Sequence, residues 1–243
     1  MGHKGKIWKS LAGILAAVCV VTGVAGCGSE KEADDNRKTQ EKEIRITDEL
    51  QRDMNYFLSK FPEFRMYEYN ESTEDYERLR FAHTFIEYNY FNRVEYIEEE
   101  ENFYTSISLE DINTALQYFF GEEVHPQKNK KIPPKDAEED IYCMYKEGNI
   151  LFPSAAGEES AVAAIVNRIV ETKENNYEVE FGIYGVDNVD DIDYYNWDQV
   201  YDFDEAEIEK NTTFSKRSKG KAVVEKVKDD KGEHYRLIEF KVE

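Results

Sequence analysis

Near residue 140 the spacing of apolar residues shortens from about 3.6 to 2, and this switch restricts the chain to helices laid on a sheet. Upstream, "TDELQRDMNYFLSKF" places Leu50, Met54, Phe57, Leu58 and Phe61 on one helical stripe. Thr47 or Asp48 caps that helix and Pro62 ends it. A second helix is expected from Glu74 to about Asn92, with Ser72 and Asp75 in capping-box spacing. Its apolar positions, Tyr76, Leu79, Ala82, Phe85, Ile86 and Tyr90, cover a wide face. A third runs from Leu109 to Phe120, opened by Ser108 with Asp111 three residues on. It buries Ile112, Leu116, Phe119 and Phe120 and stops at Gly121.

Glu122 to Ala137 reads as a loop, since it holds Pro126, Pro133 and Pro134 together with Lys128, Lys130, Lys131 and Lys135. Beyond it lie hairpins. "IYCMYKEGNILFP" turns at Glu147, Gly148 and Asn149, and "AVAAIVNRIVETKENNYEVEFGIYGVD" gives two long strands joined through "KENN". "KAVVEKVKDDKGEHYRLIEFKVE" turns between Asp229 and Gly232. Helices followed by antiparallel hairpins make an α+β domain over 46–243, with N-terminal helices packed on a curved antiparallel sheet. At 243 residues and 40% hydrophobic content, the chain can bury one such core. This element order is similar to the nuclear-transport-factor-two-like cone fold, and more loosely to cystatin-like folds. The resemblance implies a cone whose pocket is catalytic, binds a ligand or is filled by side chains, and fold alone does not choose among these.

The first thirty residues have another purpose. Lys4, Lys6 and Lys9 precede "LAGILAAVCVVTGVAG", residues 11–26, which is apolar or small throughout. As a helix it would span roughly 24 Å, short of the hydrocarbon core of a bilayer. A basic end, a short apolar middle and small residues before a break form a secretory signal over 1–26. Val24, Ala25, Gly26 and Cys27 resemble the lipobox of bacterial lipoproteins. The resemblance implies diacylglyceryl transfer to Cys27, cleavage between Gly26 and Cys27, and anchoring by acyl chains at the outer face of the cytoplasmic membrane. Residues 28–45 hold six acids, five bases and no large apolar residue before Ile44, so 27–45 reads as a disordered, lipid-bearing tether.

Formal charge is −21, and removing the leader with its three lysines makes the remainder more acidic still. Such a surface repels phosphate backbones, which argues against nucleic acid as a partner. With Cys19 in the leader and Cys27 acylated, Cys143 remains alone, and its alternation with Ile141 and Tyr145 marks a buried structural thiol. His83 lies mid-helix at a surface or boundary position, His125 in the proline loop, and His234 in or beside a hairpin strand. None has metal-pair spacing, and no serine sits in a Gly-x-Ser-x-Gly elbow. The cone resemblance implies a His–Asp dyad in some members, but no such pair maps onto this sequence. No catalytic residue, metal ligand or cofactor is therefore expected.

The most unusual composition is 187–209, "DNVDDIDYYNWDQVYDFDEAEIE", with ten acids and no base. A Ca²⁺ loop would need glycine at its sixth position, where Ile192 stands. Ligand capture is a second reading, with Tyr194, Tyr195, Trp197 and Tyr201 stacking on sugar rings or a cationic peptide. The plainest reading is an insertion whose aromatics pack back on the sheet and whose acids meet Lys210, Lys216, Arg217, Lys219 and Lys221. Glu98 to Glu101 likewise reads as a solvated turn. The expected protein is an extracytoplasmic lipoprotein with a non-catalytic binding or interaction domain. Its partners would be membrane lipid through acylated Cys27 and a carbohydrate, cationic peptide or envelope protein. The alternatives are a small-molecule enzyme with a cone pocket and a carbohydrate-binding module built on 187–209.

Overall fold

A computed structural model describes residues 41–99, 102–134, 142–154, 161–186 and 197–243. The stretches expected to be a leader and a lipobox lie outside these residues. The chain enters through β1 (Lys42–Glu43), which pairs antiparallel with a later strand, and Ile44 N–H donates to the Ile169 carbonyl. Lys42 and Glu43 thus belong to a sheet, within the stretch expected to be a tether through residue 45; residues 27–40 of that stretch lie outside the described residues.

α1 (Asp48–Glu63) begins at Thr47, whose hydroxyl accepts from Leu50 N–H. Pro62 sits in its last turn, and the helix ends one residue later. β2 (Glu68–Tyr69) follows, then α2 (Asp75–Asn89), whose N-cap is Glu74 without a side-chain cap bond. The expected Ser72 cap is absent because Ser72 instead bonds to Asn70 Oδ1. α2 ends at Asn89, three residues before the expected Asn92, and a 3₁₀ turn at Phe91–Arg93 leads into β3 (Glu95–Glu99) and β4 (Asn102–Ser108). This hairpin departs from the sequence reading, and Glu98 and Glu99 of the tetraglutamate stretch are strand residues in it. α3 (Leu109–Phe120) keeps both expected ends, with Ser108 accepting from Asp111 N–H and Gly121 left-handed at φ 72°.

The proline loop contains the short β5 (Lys131–Ile132), which pairs with β6 (Cys143–Lys146). β6 turns into β7 (Asn149–Pro153) through Glu147 and Gly148, both at positive φ as a two-residue hairpin loop favours. β8 (Val162–Lys173), β9 (Asn176–Val186), α4 (Glu205–Ile208), β10 (Phe214–Asp229) and β11 (Gly232–Val242) complete the order. The strands form two antiparallel sheets, β1-β8-β9-β10-β11-β2 and β3-β4-β7-β6-β5, where one was expected. The α+β class holds.

One core joins α1, α2 and α3 to both sheets. The expected stripe of α1 is buried at Met54, Phe57, Leu58 and Phe61. Rings fill the space between the helices and the long sheet. Phe61 stacks on Phe81 at 5.2 Å and touches Phe240 at 5.2 Å, while Phe81 meets Phe119 edge-on at 5.1 Å and Phe240 stacks on Phe181 at 5.2 Å. Each such pair contributes about 1 kcal/mol beyond area burial. A smaller cluster lies on the other face of β8 and β9, where Val200, Tyr201 and Ile208 cover Ala163, Ile165 and Tyr184.

Candidate functional site

The polar groups of α1 come first, because a helix packed on a sheet has few reasons to bury them. Gln51, Asn55 and Ser59 recur every four residues and are buried. Together they satisfy the outer edge of β8. Gln51 Nε2 donates to the Val166 carbonyl at 2.8 Å, Asn55 Oδ1 accepts from Val166 N–H at 2.8 Å, and Ser59 Oγ accepts from Ala164 N–H at 2.8 Å. Beyond the register shift between Val166 and Arg168, β1 takes over the same edge. Asn55 also donates to the carbonyls of Tyr201 and Phe203 at 3.0 and 2.9 Å, tying the Trp197–Asp202 3₁₀ turn to the helix. Sequence reasoning missed this ladder, although its signal, polar residues at i, i+4 and i+8 beside the apolar stripe, is visible.

One turn further on, Lys60, Glu63 and Tyr201 form a closed triad. Lys60 Nζ donates to Glu63 Oε2 at 2.6 Å and to the Tyr201 hydroxyl at 3.0 Å, and that hydroxyl donates to Glu63 Oε1 at 2.6 Å. The Tyr56 ring faces the ammonium, 4.5 Å from its centroid to Nζ. Burial pulls the Lys60 pKa down, but Glu63 and Tyr201 outweigh it and leave the amine above its ordinary value. Burial raises the Tyr201 phenol, as does the Glu63 carboxylate. A charged lysine beside a neutral phenol is neither a base nor a nucleophile near neutral pH. The triad is a buried ion pair holding two segments together.

The histidines are placed less openly than expected. His83 is 3% exposed, where a surface or boundary position was expected. α2 lies between α3 and β7, so a helix flank that the 3.6 period leaves polar is covered as well. Nε2–H donates to the Thr105 carbonyl at 3.3 Å, the ring lies 4.6 Å from Phe152, and Nδ1 is 3.9 Å from Glu87. Burial lowers its pKa to about 4 and the Thr105 bond only partly offsets this, so the ring is neutral near pH 7. His234 stacks on Tyr118 at 4.7 Å with both ring nitrogens buried and, among the described residues, without a close hydrogen-bond partner; Nδ1 lies 3.8 Å from Asp229, and burial lowers the pKa more than Asp229 raises it. His125 is exposed, 3.9 Å from Glu123. Cys143 is fully buried and its thiol is pushed up to about 12, an inert state. Among the described residues, no group of three or more histidines, cysteines or carboxylates is placed to hold a metal ion.

Of the acidic segment, Tyr194 and Tyr195 lie outside the described residues. Trp197 is half-buried, 6.0 Å from Phe214. Tyr201 is 1% exposed, so its ring presents no face to a sugar; the reason is the α1 contact, which no local pattern announces. The acids have internal duties. Asp204 and Glu207 make the capping box of α4, Glu205 pairs with Lys216 at 2.7 Å, and Asp202 pairs with Arg52. In its described part, this segment is an insertion folded back on β8 and β9.

Exposed rings occur elsewhere, on the β3–β4 hairpin. Tyr96 is 73% and Phe103 64% exposed. Tyr96 pairs with Thr105 and Glu98 with Phe103, so both rings stand on one face of the sheet as diagonal neighbours. Phe91, in the turn entering β3, is also exposed. The signal for this surface is the alternation in "VEYIEEEENFYTSIS", masked by four consecutive acids. No family model matches the chain, and no curated protein or solved structure matches it either.

Proposed function

We propose that the protein is a lipid-anchored, extracytoplasmic bacterial lipoprotein whose domain binds a partner and does not catalyse. The observation that carries the binding reading is the pair Tyr96 and Phe103, exposed together on the first strands of the short sheet. Two large rings facing solvent on one face are the type of surface that becomes buried on binding. Most of the histidine, cysteine and lysine groups considered above support the same reading, although His125 is exposed. His83, His234 and Cys143 are buried, and Lys60 is held charged inside a triad. The anchoring part rests on the basic end, the short apolar run and the Val24–Cys27 lipobox. No helix among the described residues is long and apolar enough to cross a membrane.

The finer shape belongs to the proposal too. Register shifts in β8 and β10 bend strands, which supports a long sheet curved around α1 in the manner of the cone-like folds. In that reading the cone is filled by the phenylalanine cluster. The testing experiment places a photo-crosslinking amino acid at Tyr96 in the full chain, expressed in cells. A defined adduct at Tyr96, absent when the crosslinker replaces buried Tyr184, is the expected result. Equal labelling at both positions, or none at Tyr96, overturns the binding reading.

A further inference from the structure

The exposed rings sit beside an open strand edge. Ser154 N–H donates to the Phe103 carbonyl and Leu109 N–H to the Gly148 carbonyl, so the odd-numbered residues of β4 turn their backbone groups toward β7. The alternation of an antiparallel ladder then turns the even-numbered residues toward β3, where Glu95, Ile97 and Glu99 pair with them. Tyr96 and Glu98 therefore hold their N–H and C=O groups outward, and none of the described residues bonds to them. α1 side chains and β1 close β8, and the two-residue β5 closes β6 beside Pro133 and Pro134, while β2 covers β11 only at Phe240 and Lys241. An edge of five residues without proline is a ready template for an added strand.

We infer that β3 receives an extended, basic segment of a partner protein as an additional strand, its backbone pairing at Tyr96 and Glu98 and its apolar side chains resting on Tyr96 and Phe103. This rests on the binding reading above and names the partner's chemistry. Charge selects the occupant. Glu98 carries one set of the open groups and Glu95 precedes Tyr96 on the opposite face, Arg93 is already paired with Asp111, and the whole chain is strongly acidic. A strand alternating lysine with apolar residues turns its lysines to the face that carries Glu95 and lays its apolar side chains on the face of Tyr96, Phe103 and Glu98. A second copy of this chain would bring its own β3 acids to the same edge and be repelled.

The test uses the purified full chain and two short labelled peptides, one alternating lysine with valine and one alternating glutamate with valine, read by fluorescence anisotropy. The basic peptide is expected to bind, the acidic one not, and added salt to weaken binding. Glu98→Pro is the decisive variant. Its backbone N–H points outward, so proline blocks strand addition without removing a bond to β4. It should weaken binding by about tenfold or more, while Glu98→Gln, which keeps the N–H, costs about threefold or less. Equal binding of both peptides, unchanged binding by a folded Glu98→Pro, or self-association of the chain that Glu98→Pro abolishes, each overturns the inference. A specific Tyr96 adduct to a carbohydrate, with neither peptide bound, overturns strand addition and leaves the binding reading standing.

Discussion

His83 couples a buried ring to the stability of the whole domain, and the coupling has a sign and a size. In the unfolded chain its pKa is about 6.5, and in the fold burial lowers it to about 4. The folded protein therefore binds fewer protons than the unfolded chain between those values. Stability from this group is full above the unfolded pKa and is lost as pH falls toward the folded one. A gap of about 2.5 units at 1.36 kcal/mol each sets a ceiling near 3 kcal/mol, of which about 2 kcal/mol is spent at pH 5. The ring is 3% exposed, so solvent does little to screen it. His83→Gln keeps a donor for the Thr105 carbonyl but cannot be protonated. Urea unfolding followed by circular dichroism, at about pH 7.5 and about pH 5, should show the variant less stable at the higher pH. That deficit should shrink by about 2 kcal/mol at the lower pH. The Glu87 carboxyl, raised by burial, lies near enough to stabilise a protonated ring, so the comparison is repeated with Glu87→Gln. A stability difference between the wild-type protein and the His83→Gln variant that stays constant with pH would refute the reasoning.

Other perturbations follow from the same contacts. Asn55→Ala leaves Val166 N–H and the Tyr201 and Phe203 carbonyls without their partner and should cost about 3 kcal/mol or more in chemical denaturation. A loss below about 1 kcal/mol would show that water replaces the side chain. Tyr201→Phe removes the hydroxyl shared by Lys60 and Glu63 and should destabilise by about 1–3 kcal/mol, with no change in peptide binding at β3. Cys27→Ala should shift the protein from the membrane fraction to the medium or leave it unprocessed; a mature-sized product that stays with membranes would end the lipobox proposal.

The expected cap of α1 and both ends of α3 form as read, because a Thr47 or Ser108 hydroxyl and a left-handed Gly121 act within a few bonds of the backbone they satisfy. The hairpins beyond residue 140 form for the same reason, since period-two patterning and turn residues are local. Local signals mislead where residues compete. Ser72 is drawn away by Asn70, and the acids of 98–101 hide the alternation on either side of them. The long-range features have no local counterpart. That Gln51, Asn55 and Ser59 face the bare edge of β8 depends on strands more than a hundred residues away. The burial of Tyr201, which from sequence reads as part of a binding surface, depends on Lys60 and Glu63 in α1. Composition, charge, the lipobox resemblance and the α+β class are properties that residues carry themselves, and the sequence alone determined them. The division into two sheets, the rings that fill the core and the edge left open at β3 arise only when distant segments meet, because burial and strand pairing are set by the neighbour and not by the residue.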